Sequence, residues 1–295
     1  MNIRDALKEG IGRLNAASVP SHTLAAELLL MHSLGRDRTW LYSHPEAEMD
    51  APAVEKYFAL VARRAGGVPT QYLTGTQEFW GLEFEVTPAV LIPRPETEHV
   101  IEVVLERLAA QARANAPLHI ADVGTGSGCI AVALAHELPH AEIDATDISP
   151  GALEVAQRNA ARHNVSARVH FRECDLLNAF PQGPRDADRR EVRFDAIVSN
   201  PPYIRRGDAE SLPLDVRGHE PEIALFAGDD GLGVYRPLIS QAAQLLLPGG
   251  LLALELGYDS LPGVRALLDE SAAWRDIRVT PNLAGISRVI SAVRI

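Results

Sequence analysis

The chain has 295 residues, 46% of them hydrophobic and 23% charged, an ordinary globular composition with enough length for two domains. Its net charge of −11 at pH 7 argues against a protein whose affinity depends on wrapping phosphates, although a local basic patch stays open. Two cysteines, Cys129 and Cys174, without C-x-x-C spacing, suggest neither a zinc site nor a disulfide framework.

The N-terminus carries Arg4, Asp5, Lys8 and Glu9 and no apolar core of a signal peptide. The apolar stretch Leu24 to Met31 contains Glu27 and is too short to span a bilayer, so a cytoplasmic location is expected. Residues 1–75 show helical periodicity. Ile3, Leu7, Ile11 and Leu14 form one stripe, Leu24, Leu28, Leu29 and Met31 a second, and Val54, Tyr57, Phe58 and Val61 a third. Helix starts are expected near Ser21 and Thr23, and at Asp50 with Pro52. This predicts four or five short helices whose apolar stripes are core and whose polar faces serve as a docking surface.

Residues 76–92 change period. Glu78 to Val86 alternates around Gly81 and predicts a β-hairpin linking two domains. Pro93-Arg94-Pro95-Glu96-Thr97-Glu98 follows, with a helix from Pro95 to about residue 113. From residue 118 strands alternate with helices. Strands are expected at 118–123, 142–147, 168–173, 194–199, 251–257, 276–280 and 287–294. Helices are expected at 128–138, 150–163, 231–247 and 260–271. That alternation predicts a parallel sheet with helices on both faces. The link 281–285 is too short for a parallel crossover, so the last two strands should pair antiparallel. A solvated loop is expected over 181–193.

Three strand ends carry the features of a cofactor site. Asp122-Val123-Gly124-Thr125-Gly126-Ser127-Gly128 follows one strand and opens a helix, where glycines admit a ligand close to the backbone. Cys129 sits at that helix start, which would lower its pKa, but nothing else marks a thiol mechanism. The next strand ends in Asp147, placed to accept from both ribose hydroxyls or, alternatively, to cap the helix after Ser149. The third ends near Asp175 and Leu176, an acid and an apolar side chain suited to an adenine's amino edge and ring. The G-x-G-x-G spacing differs from the dinucleotide G-x-G-x-x-G, and S-adenosylmethionine needs the same adenosine site without a pyrophosphate clamp. Its methionine carboxylate would suit the helix N-terminus.

Asn200-Pro201-Pro202-Tyr203 ends the apolar run Phe194 to Ser199. The prolines stop the strand and present the Asn200 amide oxygen and the Pro201 carbonyl at its carboxyl end. Two acceptors side by side fit an –NH2 group with two hydrogens to donate. Tyr203 would wall the pocket or pack at the strand end, and Pro202 shapes the turn. Arg94, Glu96 and Thr97 could close the pocket, with helix capping as the alternative for Thr97.

These motifs resemble the release-factor glutamine N5-methyltransferases of the class I methyltransferase fold. The resemblance runs through Gln71 to Gly75, Phe79 to Phe84, Leu91 to Glu98, the 122–135 loop and helix, and Asn200 to Ile204. It continues through Glu220-Pro221, Gly228 to Gly231 and Arg288-Val289, and so covers essentially the whole chain. The one departure is Leu176, where some relatives have an aromatic. The resemblance implies a Rossmann-like α/β sheet with one reversed strand near its C-terminus, S-adenosylmethionine as cofactor, and methylation of the Gly-Gly-Gln glutamine of peptide chain release factors. It implies a helical docking domain at 1–75, a hairpin linker at 76–92 and a methyltransferase domain at 93–295. It assigns catalysis to Asn200, Pro201, Pro202 and Tyr203. Cofactor binding falls to Gly124, Thr125, Gly126, Ser127, Gly128, Asp147, Asp175, Leu176 and Asn200. It gives no role to Glu220. Two rivals share parts of this pattern: a nucleic-acid adenine N6-methyltransferase, which the acidic charge disfavours, and a non-catalytic release-factor adaptor, which would need neither motif.

Overall fold

The computed structural model describes residues 1–113, 115–180 and 193–295. The loop expected over 181–193 lies outside the described residues except for Arg193. The chain divides into two contact units, Met1–Thr76 with Leu212–His219, and Gln77–Ser211 with Glu220–Ile295.

The first unit is helical. Its helices are α1 (Ile3–Ala16), α2 (His22–Leu34), α3 (Arg38–Ser43), α4 (Ala51–Ala65) and α5 (Thr70–Thr74). Asn2 caps α1 by accepting the Asp5 N–H, and Asp50 caps α4 by accepting the Ala53 N–H, each at 2.8 Å. Ser21, expected to start α2, takes a left-handed conformation at φ 49° and makes no side-chain cap. The three apolar stripes meet in one core around Leu14, Leu29, Leu30, Tyr57 and Val61. Leu212–His219, which sequence reasoning placed within 93–295, packs here instead. Buried Arg64 donates to the Asp215 carboxylate at 3.1 Å and to the Val68 carbonyl at 3.2 Å.

The hairpin consists of β1 (Thr76–Phe79) and β2 (Leu82–Glu85). Its turn residues Trp80 and Gly81 both have positive φ, at 57° and 70°. A tryptophan is unusual there. Its backbone N–H donates to Glu98 at 2.8 Å and its indole N–H to Glu137 at 3.0 Å, which together hold the turn.

The second unit carries a sheet of seven strands among the described residues: β3 (Leu118–Val123), β4 (Ala141–Asp147), β5 (Val169–Glu173), β6 (Phe194–Ser199), β7 (Leu246–Glu255), β8 (Trp274–Pro281) and β9 (Ser287–Arg294). Their order is β5-β4-β3-β6-β7-β9-β8, and β9 alone runs antiparallel to its neighbours. Helices α6 (Glu98–Ala110), α7 (Cys129–Glu137) and α8 (Pro150–Arg162) cover one face. Helices α9 (Tyr235–Leu245) and α10 (Leu261–Asp269) cover the other. The strand order reverses between β3 and β6, and ligands of open α/β sheets bind at that point.

Two boundaries differ from expectation for local reasons. The helix expected from Pro95 begins as a 3-10 turn at Pro95–Thr97, and α6 proper starts at Glu98. Strand β7 starts at Leu246 rather than 251, because the Pro248-Gly249-Gly250 segment is absorbed as a bulge. The register shifts there from Phe194↔Leu246 to Ala196↔Leu251. Among the described residues no helix is long and apolar enough to cross a membrane.

Candidate active site

The carboxyl ends of β3, β4, β5 and β6 open onto one cleft. It is lined by Gly124 and Gly126 after β3, Asp147, Ile148 and Ser149 after β4, Cys174, Asp175 and Leu176 after β5, and Asn200 and Pro202 after β6. Val90 and Leu91, Pro221, Ile223, Ala224 and Val234 complete the wall.

The glycine loop is set by Asp122 and Asp147. Buried Asp122 accepts the Thr125 hydroxyl at 2.6 Å and the Ala131 N–H at 3.1 Å, which ties loop to helix. Burial pushes its carboxyl up to about 7 against those two hydrogen bonds. Gly124 and Gly126 have φ of 70° and 55°, and a Cβ at either would meet nothing within 4 Å. Thr125 and Ser127 are buried, and neither side chain lines the cleft. Gly128 faces α8, where a Cβ would lie 3.1 Å from that of Ala156. Of the five loop residues singled out from sequence, Gly124 and Gly126 are the two that face the cleft.

The Asp147 carboxylate accepts the Gly126 N–H and the Ser149 N–H, both at 2.9 Å. Burial raises its pKa, and the backbone donors oppose the rise. It does not cap α8. Ser149 does, accepting the Ala152 N–H at 3.2 Å. With each oxygen taking one backbone donor, the carboxylate is fixed in orientation and keeps acceptor capacity. Asp175 and half-buried Leu176 sit on the same rim, and Leu176 has a φ of 51°. Cys129 departs from expectation. It is buried, and desolvation drives its thiol up to about 12, overriding any helix-start effect. The Cys174 thiol donates to the Leu176 carbonyl at 3.2 Å and is also raised by burial.

Strand β6 is buried along its whole length and delivers Asn200 to the cleft. The Asn200 side-chain N–H donates to the buried Thr97 hydroxyl at 2.9 Å. Thr97 makes no helix cap, and its side chain serves Asn200 instead. Pro201 is buried and Pro202 lines the cleft. The Tyr203 ring packs against the core and comes so close to Gly257 that a Cβ there would lie 2.5 Å from its Cδ2. Burial pushes the Tyr203 hydroxyl up to about 12. Arg94 donates to buried Glu220 at 2.5 Å, and Glu96 faces Arg288 at 4.0 Å.

Sequence reasoning missed Val90, Ile148 and the Pro221–Ala224 turn as wall residues. Ile148 alone carried a signal, an apolar residue placed directly after a strand-ending acid.

The chain matches two family models, the PrmC N-terminal domain over residues 5–75 and the methyltransferase small domain over residues 99–213. It is 47% identical to the release factor glutamine methyltransferase of Moorella thermoacetica, over 100% of this chain and 99% of that one. It is 44% identical to that of Koribacter versatilis, over 98% of each. Among solved structures it resembles the hMettl16 catalytic domain in complex with MAT2A 3'UTR hairpin 1, with a TM-score of 0.55, 15% identity and 86% of each chain covered. At that identity the likeness concerns the fold alone.

Proposed function

The chain belongs to the release factor glutamine methyltransferase family, and on that premise we propose that it moves the methyl group of S-adenosylmethionine to the side-chain amide nitrogen (N5) of the Gly-Gly-Gln glutamine of peptide chain release factors. The observation that carries this reading is the Asn200 amide. One of its two N–H donors goes to Thr97 at 2.9 Å, which holds the amide in place, and its oxygen has acceptor capacity for a group in the cleft that Asn200 lines.

The cleft suits the cofactor. Two glycines with open space where side chains would stand, a fixed acid on the next strand end, and apolar Ile148 and Leu176 are the groups an adenosine with a short charged tail requires. Asp147 would hold the ribose hydroxyls, Asp175 and Leu176 the adenine, and the Gly124–Gly126 backbone the methionine part. Bound there, S-adenosylmethionine supplies an electrophilic methyl group.

The Asn200 oxygen and the Pro201 carbonyl each take one N–H of the substrate amide. That fixes the plane of the nitrogen and favours its pyramidalisation toward the methyl. Positioning of this kind contributes up to ~7–11 kcal/mol in favourable systems, against ~0.5–1.5 kcal/mol net for each hydrogen bond alone. No general base is required, because the cationic amide formed when the nitrogen takes the methyl, still carrying both of its hydrogens, is strongly acidic and loses one proton to water. Tyr203 holds the strand end from behind. The helical unit is the docking surface for the release factor, the chain acts in the cytoplasm, and no nucleic acid takes part.

The test is transfer of labelled methyl from S-adenosylmethionine to a purified release factor, to its Gly-Gly-Gln variant with Gln→Ala, and to duplex DNA. Label on the wild-type factor alone is expected. Label on DNA, or on neither factor, overturns the reading. Asn200→Ala should leave cofactor affinity within about threefold and reduce turnover by at least about a hundredfold, given what positioning contributes.

A further inference from the structure

We infer that Glu220, through its pair with Arg94, is a positioning residue: it closes a ring of three segments beside the cleft and holds the Pro221–Ala224 wall where the substrate side chain enters. This rests on the reading of the cleft as the site of methyl transfer, and extends it to a residue for which sequence reasoning gave no role.

Glu220 is 5% exposed. Its Oε1 accepts from Arg94 Nη2 at 2.5 Å and its Oε2 from the Ile92 backbone N–H at 3.4 Å. Both oxygens hold one short stretch, so the distance and the tilt of that stretch are set together. The stretch is stiff. Pro93 and Pro95 fix φ on either side of Arg94, which is itself extended, with φ −100° and ψ 139°. Pro221 does the same directly after Glu220. A clasp between two proline-stiffened stretches passes its geometry on to their neighbours. On one side these are Val90 and Leu91, on the other Pro221, Ile223 and Ala224, and all five line the cleft.

The far end of the wall turn is fastened to the segment that carries Asn200. Ile204 and Phe226 form a parallel bridge. The Ile204 N–H donates to the Leu225 carbonyl and the Ala227 N–H to the Ile204 carbonyl, both at 2.9 Å. Thr97 completes the ring. Its backbone N–H donates to the Arg94 carbonyl at 3.0 Å, and its hydroxyl accepts from Asn200 at 2.9 Å. An apolar pair in the place of Arg94 and Glu220 would cost little stability, because a buried ion pair repays its desolvation poorly. What the ion pair adds is direction, since charge-assisted bonds to both oxygens admit one arrangement. Glu220 touches no reacting atom in this scheme and acts through the wall.

The experiment compares Glu220→Gln and the double variant Arg94→Met with Glu220→Leu against wild type, in the full chain. It measures kcat, KM for the release factor, calorimetric affinity for S-adenosylmethionine, melting temperature, and hydrogen exchange of the Ile204 and Ala227 amides. The double variant leaves no buried charge unpaired and should melt within about 3 °C of wild type. Its KM should still rise by about tenfold or more, with kcat and cofactor affinity within about threefold, because the wall is released and the strand-end groups are not. Exchange at Ala227 should quicken by at least about tenfold without any substrate present. Glu220→Gln keeps the size and an acceptor for Arg94, and its KM should rise by about threefold, between the other two. A double variant with wild-type KM and exchange means that the pair is merely structural and overturns the inference. So does a glutamine variant no better than the double variant. If the double variant does not fold, the glutamine variant decides, and wild-type KM there overturns the inference. If wild type itself labels no release factor, the functional reading fails instead, and the exchange rates alone decide whether the clasp holds the wall.

Discussion

Gly126 and Gly128 lie two residues apart, both have positive φ, and yet alanine should damage the protein in different ways at the two positions. At either, an L-residue forced into the left-handed region costs about 1–2 kcal/mol. At Gly126, with φ 55°, the new Cβ meets nothing within 4 Å, so that is the whole folding cost. For a domain of 150–250 residues it corresponds to a loss of about 2–8 °C in melting temperature. The methyl, however, stands in the cleft that Gly126 lines, so affinity for S-adenosylmethionine should fall by about tenfold or more, a loss near 1.4 kcal/mol. At Gly128, with φ 81°, the Cβ lies 3.1 Å from the Ala156 Cβ and 3.2 Å from its Cα. Helix α8 must give way, adding about 1 kcal/mol or more of overpacking to the same backbone cost. Gly128 does not line the cleft, so affinity should stay within about threefold, less than 1 kcal/mol. Thermal unfolding without ligand, paired with titration calorimetry, reads both quantities. Equal losses of affinity in the two variants, or a less stable Gly126→Ala than Gly128→Ala, would refute the division of the loop into a ligand-facing and a helix-facing glycine.

Asp147→Ala should weaken S-adenosylmethionine binding by at least about tenfold, since it removes an acceptor and frees the Gly126 N–H that it holds; unchanged calorimetric affinity counts against the ribose assignment. Asp215→Ala leaves buried Arg64 with backbone carbonyls as its remaining acceptors and should cost about 1–3 kcal/mol in urea unfolding; a change below about 0.5 kcal/mol means the pair is only decorative. Burial raises the Glu255 carboxyl to about 7, above its unfolded value of 4.5, so the folded chain holds a proton that the unfolded chain releases. That contribution to stability is complete below about pH 4.5 and is lost as pH rises through 7, on the order of 3 kcal/mol in all. Glu255→Gln cannot titrate, so its stability relative to wild type should improve from pH 5 to pH 8 in paired denaturant curves; a constant difference refutes the assignment.

The sequence carried the strand–helix alternation, the reversed final strand and all four strand-end motifs, because each is a local pattern. Buried parallel strands are continuous apolar runs, and glycines or prolines must mark their ends. What escaped was decided by distant partners. Thr97 has the sequence setting of a helix cap, but its hydroxyl is taken by Asn200, more than a hundred residues away along the chain. Cys129 has the setting of an activated thiol, but burial against the sheet outweighs the helix start. Val90 lies on an irregular segment and Ile223 in a three-residue 3-10 turn too short to show a periodicity, and only the folded chain brings them to one wall. Leu212–His219 follows the Asn200–Tyr203 motif in sequence yet packs with the helices through Arg64–Asp215, a pairing of charges that no spacing rule could anticipate.

The two acceptors proposed at Asn200 and Pro201 cannot by themselves choose a substrate. Any planar group bearing an –NH2, an adenine as readily as a carboxamide, satisfies them. Selection must come from what surrounds them, and here the wall differs from what a base requires. An extruded base is held by stacking on flat side chains and is brought in along a basic groove. In this cleft the wall is supplied by Val90, Pro202, Pro221, Ile223, Ala224 and Val234, which are aliphatic and small. Tyr203, the aromatic of the motif, has its ring packed into the core against Gly257. Aliphatic walls fit the two methylenes of a glutamine side chain and offer an extruded base no aromatic ring to stack on. The net charge of −11 acts in the same direction, disfavouring an affinity that depends on a phosphate backbone. In the proposed mechanism the motif supplies the chemistry of methyl transfer to nitrogen, while wall and charge supply the preference for a protein amide. Replacing wall residues such as Ile223 should therefore change KM for the release factor more than kcat.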